Sequence, residues 1–302
     1  MALYSAQGTL TPIPPFDFEK SLDFLGFFAP MEGEQVLAAR ALAKAVLIDG
    51  QTIVFEVAAS GSVEQPRLSY TLRSDRPIAD SRRTAAEDRI AFFLSLHDDL
   101  RPFYALGMSD PSFAPVIQRL YGYHQVKFLT PFENACWAVL TQRSPIPIAK
   151  KLKQALSERF GASLAIGDLR YSAFPEPARL AAADPAELLD LVGNPRRAEY
   201  LQAAARAFSG ADEAWLRTAP YAEVAAWLRA IKGMGAWSTS FVLLRGLGRM
   251  DQLPVGEARL GDAAAKMYGR VLRDTELAAI AERYGACQGY WAHYLRVGTR
   301  AL

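Results

Sequence analysis

The spacing of apolar positions changes part-way along the chain. Residues 46–48, 52–58 and 67–73 are short β-branched or alternating runs, broken by turn signals at Asp49-Gly50 and around Gly61, and they read as strands. Residues 82–96 (RRTAAEDRIAFFLSL) switch to a helical pattern, apolar toward the C-terminal half. Pro12, Pro14 and Pro15 keep the leader extended. Beyond Asp99 strand patterns disappear, and residues 132–142, 148–160, 177–183, 185–192, 196–208, 221–230, 237–247, 261–268, 274–284 and 290–297 each suit a helix. Thr130-Pro131 and Asp184-Pro185 set proline just inside a capped start, Asp274 suits a cap, and Gly161, Gly193 and Gly285 fall where helices should stop. The expected fold class is α+β: a mixed N-terminal domain over residues 1–105, then an all-helical region over 106–302 made of two subdomains with a cleft between them.

Composition narrows the options. With 51% hydrophobic and 22% charged residues the chain suits a globular protein, and no apolar run approaches the ~20 residues that cross a bilayer. The first twenty residues lack a basic start and apolar core, so the expectation is a cytoplasmic protein without membrane contact. Charge is uneven: residues 1–100 carry 9 Lys/Arg against 14 Asp/Glu, and the remainder 25 against 18. A basic second part permits a polyanionic partner. Two cysteines, Cys136 and Cys287, cannot supply a four-thiolate iron–sulfur or zinc site, and His97, His124 and His293 show no ligand spacing.

Residues 228–260 (LRAIKGMGAWSTSFVLLRGLGRMDQLPVGEARL) hold most of the candidate chemistry. Gly233 and Gly235 sit in a turn between two helical patterns, where they allow positive φ and close approach of a ligand. The N–H groups of Gly233, Gly235 and Ala236 would open the second helix toward an anion. On these residues alone a tight helix–helix turn is an equally good reading. Trp237 and Phe241, four apart on one face, read either as core or as a ring-lined wall. Glu257 follows a Pro-containing loop and is a lone acid near the turn.

This stretch resembles the helix–hairpin–helix and Gly/Pro-rich loop of the DNA glycosylase superfamily that includes endonuclease III, and is closer to bacterial 3-methyladenine DNA glycosylase II (AlkA-type). Residues 174–185 (FPEPARLAAADP), Arg197-Ala-Glu199 and residues 132–142 (FENACWAVLTQ) carry further likeness. The resemblance implies a TATA-binding-protein-like N-terminal domain and a monomeric, monofunctional enzyme that flips damaged, for example alkylated, purines out of duplex DNA and hydrolyses the N-glycosidic bond. It implies Glu257 as the catalytic carboxylate, in place of the family's aspartate. Trp237, Phe241 and Tyr290 would form the base pocket. Gln142, Arg143, Lys232, Gly233, Gly235 and Ala236 would contact DNA, and a monovalent cation, Na+ or K+, would sit on the carbonyls of Arg229, Ile231 and Met234. Arg143 falls where the family inserts a wedge into the vacated stack; it reads as wedge or phosphate contact alike. Trp237 stands where bifunctional relatives carry a Schiff-base lysine, which implies no lyase step, and the cysteine count implies no iron–sulfur cluster. Cys287 falls near a position of another pocket aromatic. Two further readings stay open: a damage-binding protein that has lost catalysis because glutamate replaces aspartate, and a helical protein-interaction domain.

Overall fold

The computed structural model describes residues 3–38 and 40–299, the side chain of Ala258 excepted. Strands β1 (Tyr4–Leu10), β2 (Gln35–Ala38), β3 (Ala41–Ile48), β4 (Gln51–Ala59) and β5 (Leu68–Ser74) form an antiparallel sheet in the order β1-β5-β4-β3-β2. The Asp49-Gly50 turn joins β3 to β4 with both residues at positive φ, the two-residue hairpin that the right-handed twist of paired strands favours. Helix α1 (Phe18–Phe27) precedes β2, with Asp17 capping its first turn, and α2 (Asp80–Phe93) packs on the sheet. The helices that follow are α3 (Arg101–Met108), α4 (Ala114–Arg119), α5 (Pro131–Leu140), α6 (Ile146–Phe160), α7 (Pro177–Ala181), α8 (Pro185–Val192), α9 (Pro195–Ser209), α10 (Glu213–Thr218), α11 (Tyr221–Ala230), α12 (Ala236–Phe241), α13 (Ala258–Tyr268), α14 (Asp274–Glu282) and α15 (Gln288–Gly298). One continuous hydrophobic core runs from the sheet into these helices.

Several expectations need correction. Strand patterns do not end at Asp99: β6 (Ala162–Ile166) and β7 (Leu169–Ala173) form a hairpin closed by Gly167 at φ +59°. The hairpin covers the outer face of the sheet, where Leu164, Tyr171 and Ala173 bury Ala43, Ala45, Leu47 and Val54. That cover explains why β3 is buried on both faces and reads as a continuous apolar run rather than an alternating one. The expected boundary at 105/106 falls inside α3. Asp274 is the first helical residue rather than the cap, and the Glu276 carboxylate accepts the Arg273 N–H instead. Thr130, Asp184 and Asn194 cap their helices through side-chain oxygens, and Gly193 ends α8 in the left-handed conformation. Among the described residues no helix is long and apolar enough to cross a membrane.

A buried ionic cluster ties the sheet to the helices. Lys153 on α6, 1% exposed, places its ammonium 2.6 Å from Glu133 of α5 and 2.5 Å from Glu34 ahead of β2. It also donates to the Pro30 carbonyl at 2.9 Å, and Lys44 on β3 meets the other oxygen of Glu34 at 2.9 Å. Burial alone would raise the Glu34 pKa, but Lys153 and Lys44 outweigh it and hold the carboxyl down at about 2, against an ordinary 4.5. Removing one partner of such a cluster leaves an uncompensated buried charge. Lys153→Met should therefore lower unfolding free energy by about 3–5 kcal/mol in urea titration. A lowered carboxylate pKa stabilises the fold above the unfolded value and loses that contribution as protons bind. Stability should accordingly fall between pH 4.5 and about 2, and Glu34→Gln should flatten that part of the profile.

Candidate active site

Helices α11 and α12 form the hairpin expected from the sequence. Gly233 takes φ +91°, and a Cβ built there would lie 2.3 Å from the Tyr200 ring, so both backbone and space demand glycine. Gly235 does not share this geometry. It caps α12 in an extended conformation (φ −79°, ψ −177°), with nothing within 4 Å of a Cβ, so its role is to leave room above the backbone rather than to reach positive φ. Lys232 is exposed in the turn and paired with Glu199 of α9. Gln142, beyond α5, turns its amide inward: Nε2 donates to the Gly233 carbonyl at 2.8 Å and bridges the α5–α6 loop to the hairpin. Arg143, next in sequence, is exposed at the loop tip with φ +51°, a conformation uncommon outside glycine. Arg229, Ile231 and Met234 line one concave face of the turn together with Gly233 and Gly235. Ile231 already gives one carbonyl lone pair to the Met234 N–H.

Beyond Phe241 the helix widens into a π-turn over Val242–Gly246, with Leu247 N–H bonding five residues back to Val242. The loop that returns is pinned where Val255 N–H donates to Ser240 Oγ at 2.9 Å. It delivers Glu257 to the start of α13, at the edge of a cavity of about 560 Å³. The Glu257 side chain is 9% exposed, and Oε2 accepts from Arg296 of α15 at 2.5 Å. A cavity of this size matches small-ligand sites in general.

The cavity walls come from distant parts of the chain. Trp237 and Phe241 line it, but their rings stack on each other at 5.1 Å and 9°, so they make one wall and leave no slot between them. Phe24, Phe27, Phe28 and Pro30, from α1 and the short turn after it, also line it. Below lie Arg245 of the π-turn and His293 of α15, each at least 95% buried. Burial presses the Arg245 pKa to about 10, and burial with the neighbouring Arg245 and Arg296 charges drives His293 well below its ordinary value, leaving it neutral. Tyr290 does not reach the cavity, contrary to expectation. Its ring packs on Phe103 of α3, its hydroxyl bonds to Asp98, and Cys287 beside it is half-buried away from the lining. Arg245, His293, Arg296 and the Phe24–Phe28 pair were missed from sequence. One signal was available: Arg245 is the only charge within the apolar run 241–247.

Residues 136–289 match the description "HhH-GPD superfamily base excision DNA repair protein", which is just over half of the chain. The chain belongs to the HhH-GPD superfamily. A relative from Bacillus subtilis (strain 168) named DNA-3-methyladenine glycosylase is 28% identical over 191 residues, 63% of this chain and 63% of the relative's own length. The fold is shared with a 3-methyladenine DNA glycosylase from Archaeoglobus fulgidus (TM-score 0.80, 20% identity, 97% of this chain and 98% of that one). It is also shared with a Clostridium acetobutylicum 8-oxoguanine glycosylase/lyase in complex with dsDNA (TM-score 0.62, 16% identity, 88% and 97%). The superfamily match takes in the hairpin, Arg245 and Glu257, while Phe24, Phe28, His293 and Arg296 lie outside it. Eight of the eighteen residues lining the cavity therefore lie outside the matched segment. Because the two hairpin glycines differ in kind, Gly233→Ala should destabilise the fold by about 1–3 kcal/mol. Gly235→Ala should leave stability within about 0.5 kcal/mol of the parent, both read by thermal unfolding.

Proposed function

We propose that this protein is a monofunctional DNA glycosylase that extrudes a damaged purine, alkylated or otherwise modified, from duplex DNA and hydrolyses its N-glycosidic bond. The observation that carries the reading is the nearly buried Glu257 carboxylate at the edge of an aromatic-walled cavity, beside a hairpin whose Gly235 is open to an approaching backbone. Extrusion is how enzymes reach a base that is stacked in a duplex. As the C1′–N bond breaks, its electron pair leaves with the base. Glu257 then faces the positive charge growing on the sugar, as carboxylates do in glycoside hydrolysis. Water bonds to C1′, and its proton ends on the departing base when that base was uncharged, or in solvent when a cationic alkylated base has already left neutral. Arg296 holds the longer glutamate side chain by one oxygen, which offsets the freedom of the extra methylene relative to aspartate. The names of the relatives from B. subtilis and A. fulgidus support a glycosylase that acts on modified purines.

On the DNA side, the N–H groups of residues 233–236 take a phosphate, Lys232 exchanges Glu199 for the backbone, and Arg143 enters or flanks the vacated stack. Gln142 acts indirectly, by bracing the turn. The carbonyls of Arg229, Ile231 and Met234 suit a monovalent cation such as Na+ or K+, since neutral oxygens on one concave face match a weakly charged ion. The chain is proposed to act as a monomer in the cytoplasm, without an iron–sulfur cluster. Trp237 leaves no amine at the position where bifunctional relatives form a Schiff base, and Lys232 is tied to Glu199 in the turn. A catalytically silent damage-binding protein is the second reading, favoured by the Glu257–Arg296 ion pair, which balances the carboxylate's charge.

Glu257→Gln should lower single-turnover base release by about 10²–10³-fold without changing affinity for duplex by more than a few-fold. Unchanged release would remove Glu257 from the chemistry, and no release by the parent chain across a lesion panel would favour the silent reading. The product should be an intact abasic strand that breaks only on alkaline treatment, with no borohydride-trapped adduct; a trapped adduct would overturn the monofunctional assignment. Gly235→Ala should weaken duplex binding by about tenfold, since a methyl intrudes where a phosphate must approach.

A further inference from the structure

The cavity already contains a cation. The Arg245 guanidinium carbon lies 4.9 Å from the Phe24 ring centroid and 4.7 Å from that of Phe28. One terminal nitrogen donates to the Val126 carbonyl at 2.7 Å, and the other lies 3.3 Å from His293 Nδ1. Aromatic faces attract positive charge, and an aromatic box is a general means of holding a cationic ligand. Here two of the available rings are engaged by the protein's own guanidinium. Glu257 is paired directly with Arg296; among the described residues no carboxylate is in ion-pair contact with Arg245, which Glu257 favours only from farther off. His293 is neutral and adds no compensation. A positively charged base entering this cavity thus meets a fixed like charge at low dielectric, where repulsion is strongest.

An uncharged purine presents the opposite case. When its N-glycosidic bond breaks, the electron pair spreads onto the ring and onto any exocyclic oxygen, so negative charge develops on the base. A cationic donor at the cavity floor stabilises that charge as it forms. We propose that Arg245 is a specificity-determining residue, tuning the cavity to uncharged purines that carry an exocyclic oxygen and against cationic N-alkylated ones. The proposal rests on the glycosylase reading and narrows its substrate class.

Hypoxanthine and its N7-methylated cation differ by one methyl group and one charge and share the exocyclic oxygen, so they isolate the effect. Duplexes carrying either base on a 2′-fluorinated sugar, which resists cleavage, are titrated by fluorescence anisotropy against the full chain with the Glu257–Arg296 pair intact. Hypoxanthine should bind at least about tenfold more tightly than the methylated cation. Adding Arg245→Met should bring the two within about threefold, while Arg245→Lys, which keeps the charge, should retain most of the preference. Equal or tighter binding of the cation when Arg245 is present overturns the proposal, as does a preference that survives Arg245→Met. If Arg245→Met does not fold, the two ligands on the Arg245 protein and on Arg245→Lys still decide. Base release by the unsubstituted chain from the unfluorinated duplexes is measured in parallel: binding preference without release of either base sinks the glycosylase reading and leaves the Arg245 assignment standing.

Discussion

Lys153 and the two carboxylates around it hold this molecule together where it is chemically most exposed to failure. The Lys153 ammonium, 99% buried, is compensated by the Glu133 and Glu34 carboxylates together. The geometry of the cluster has a consequence well beyond stability. Its third contact is the Pro30 carbonyl, and Pro30 stands in the cavity wall beside Phe28. The same charge that joins α6 to the sheet region therefore also anchors Pro30 of the cavity lining. The N-terminal sheet region is part of the site, not an appendage to it.

Charge balance around the cavity then divides into two parts. Glu257 and Arg296 form a matched pair at the edge, which fixes the carboxylate and shortens its effective reach. Arg245, beside the neutral His293, is a buried cation without a direct ion pair, flanked by the Phe24 and Phe28 rings. On the proposed reading, a carboxylate facing the sugar and a cation facing an uncharged base complement a bond that breaks into a positive sugar and a negative base. That complementarity is a property of the transition state, since neither partner carries such charge in the intact nucleotide.

Much of the helical frame was legible because local signals were strong. Thr130-Pro131, Asp184-Pro185 and Gly193 mark helix ends by physical necessity, and the 228–241 hairpin follows from apolar segments either side of a glycine turn. Short elements escaped for identifiable reasons. β6 and β7 carry a Gly167-Asp168 turn signal but only five residues each, and their purpose, covering the far face of β3, exists only in three dimensions. Within the site, Trp237, Phe241 and Glu257 reach the cavity because one hairpin and its loop deliver them, whereas Tyr290 turns toward Phe103 and Asp98 and leaves the lining to His293 and Arg296 on the same helix. Phe24 and Arg245 sit more than two hundred residues apart, and no local pattern could bring them together. Stacking of Trp237 on Phe241 is likewise a rotamer outcome that an i, i+4 spacing permits without dictating.

The central claim is that Glu257, held by Arg296, acts on the sugar as the glycosidic bond breaks. A double-mutant cycle on the single-turnover rate of base release tests it most directly, using Glu257→Gln, Arg296→Gln and the double variant on one lesion-bearing duplex. If the two act as a unit, the double variant releases base no more slowly than Glu257→Gln alone, a coupling of the kind expected for groups in contact. Fully additive losses would separate Arg296 from the carboxylate, and a wild-type rate in Glu257→Gln would contradict the account outright.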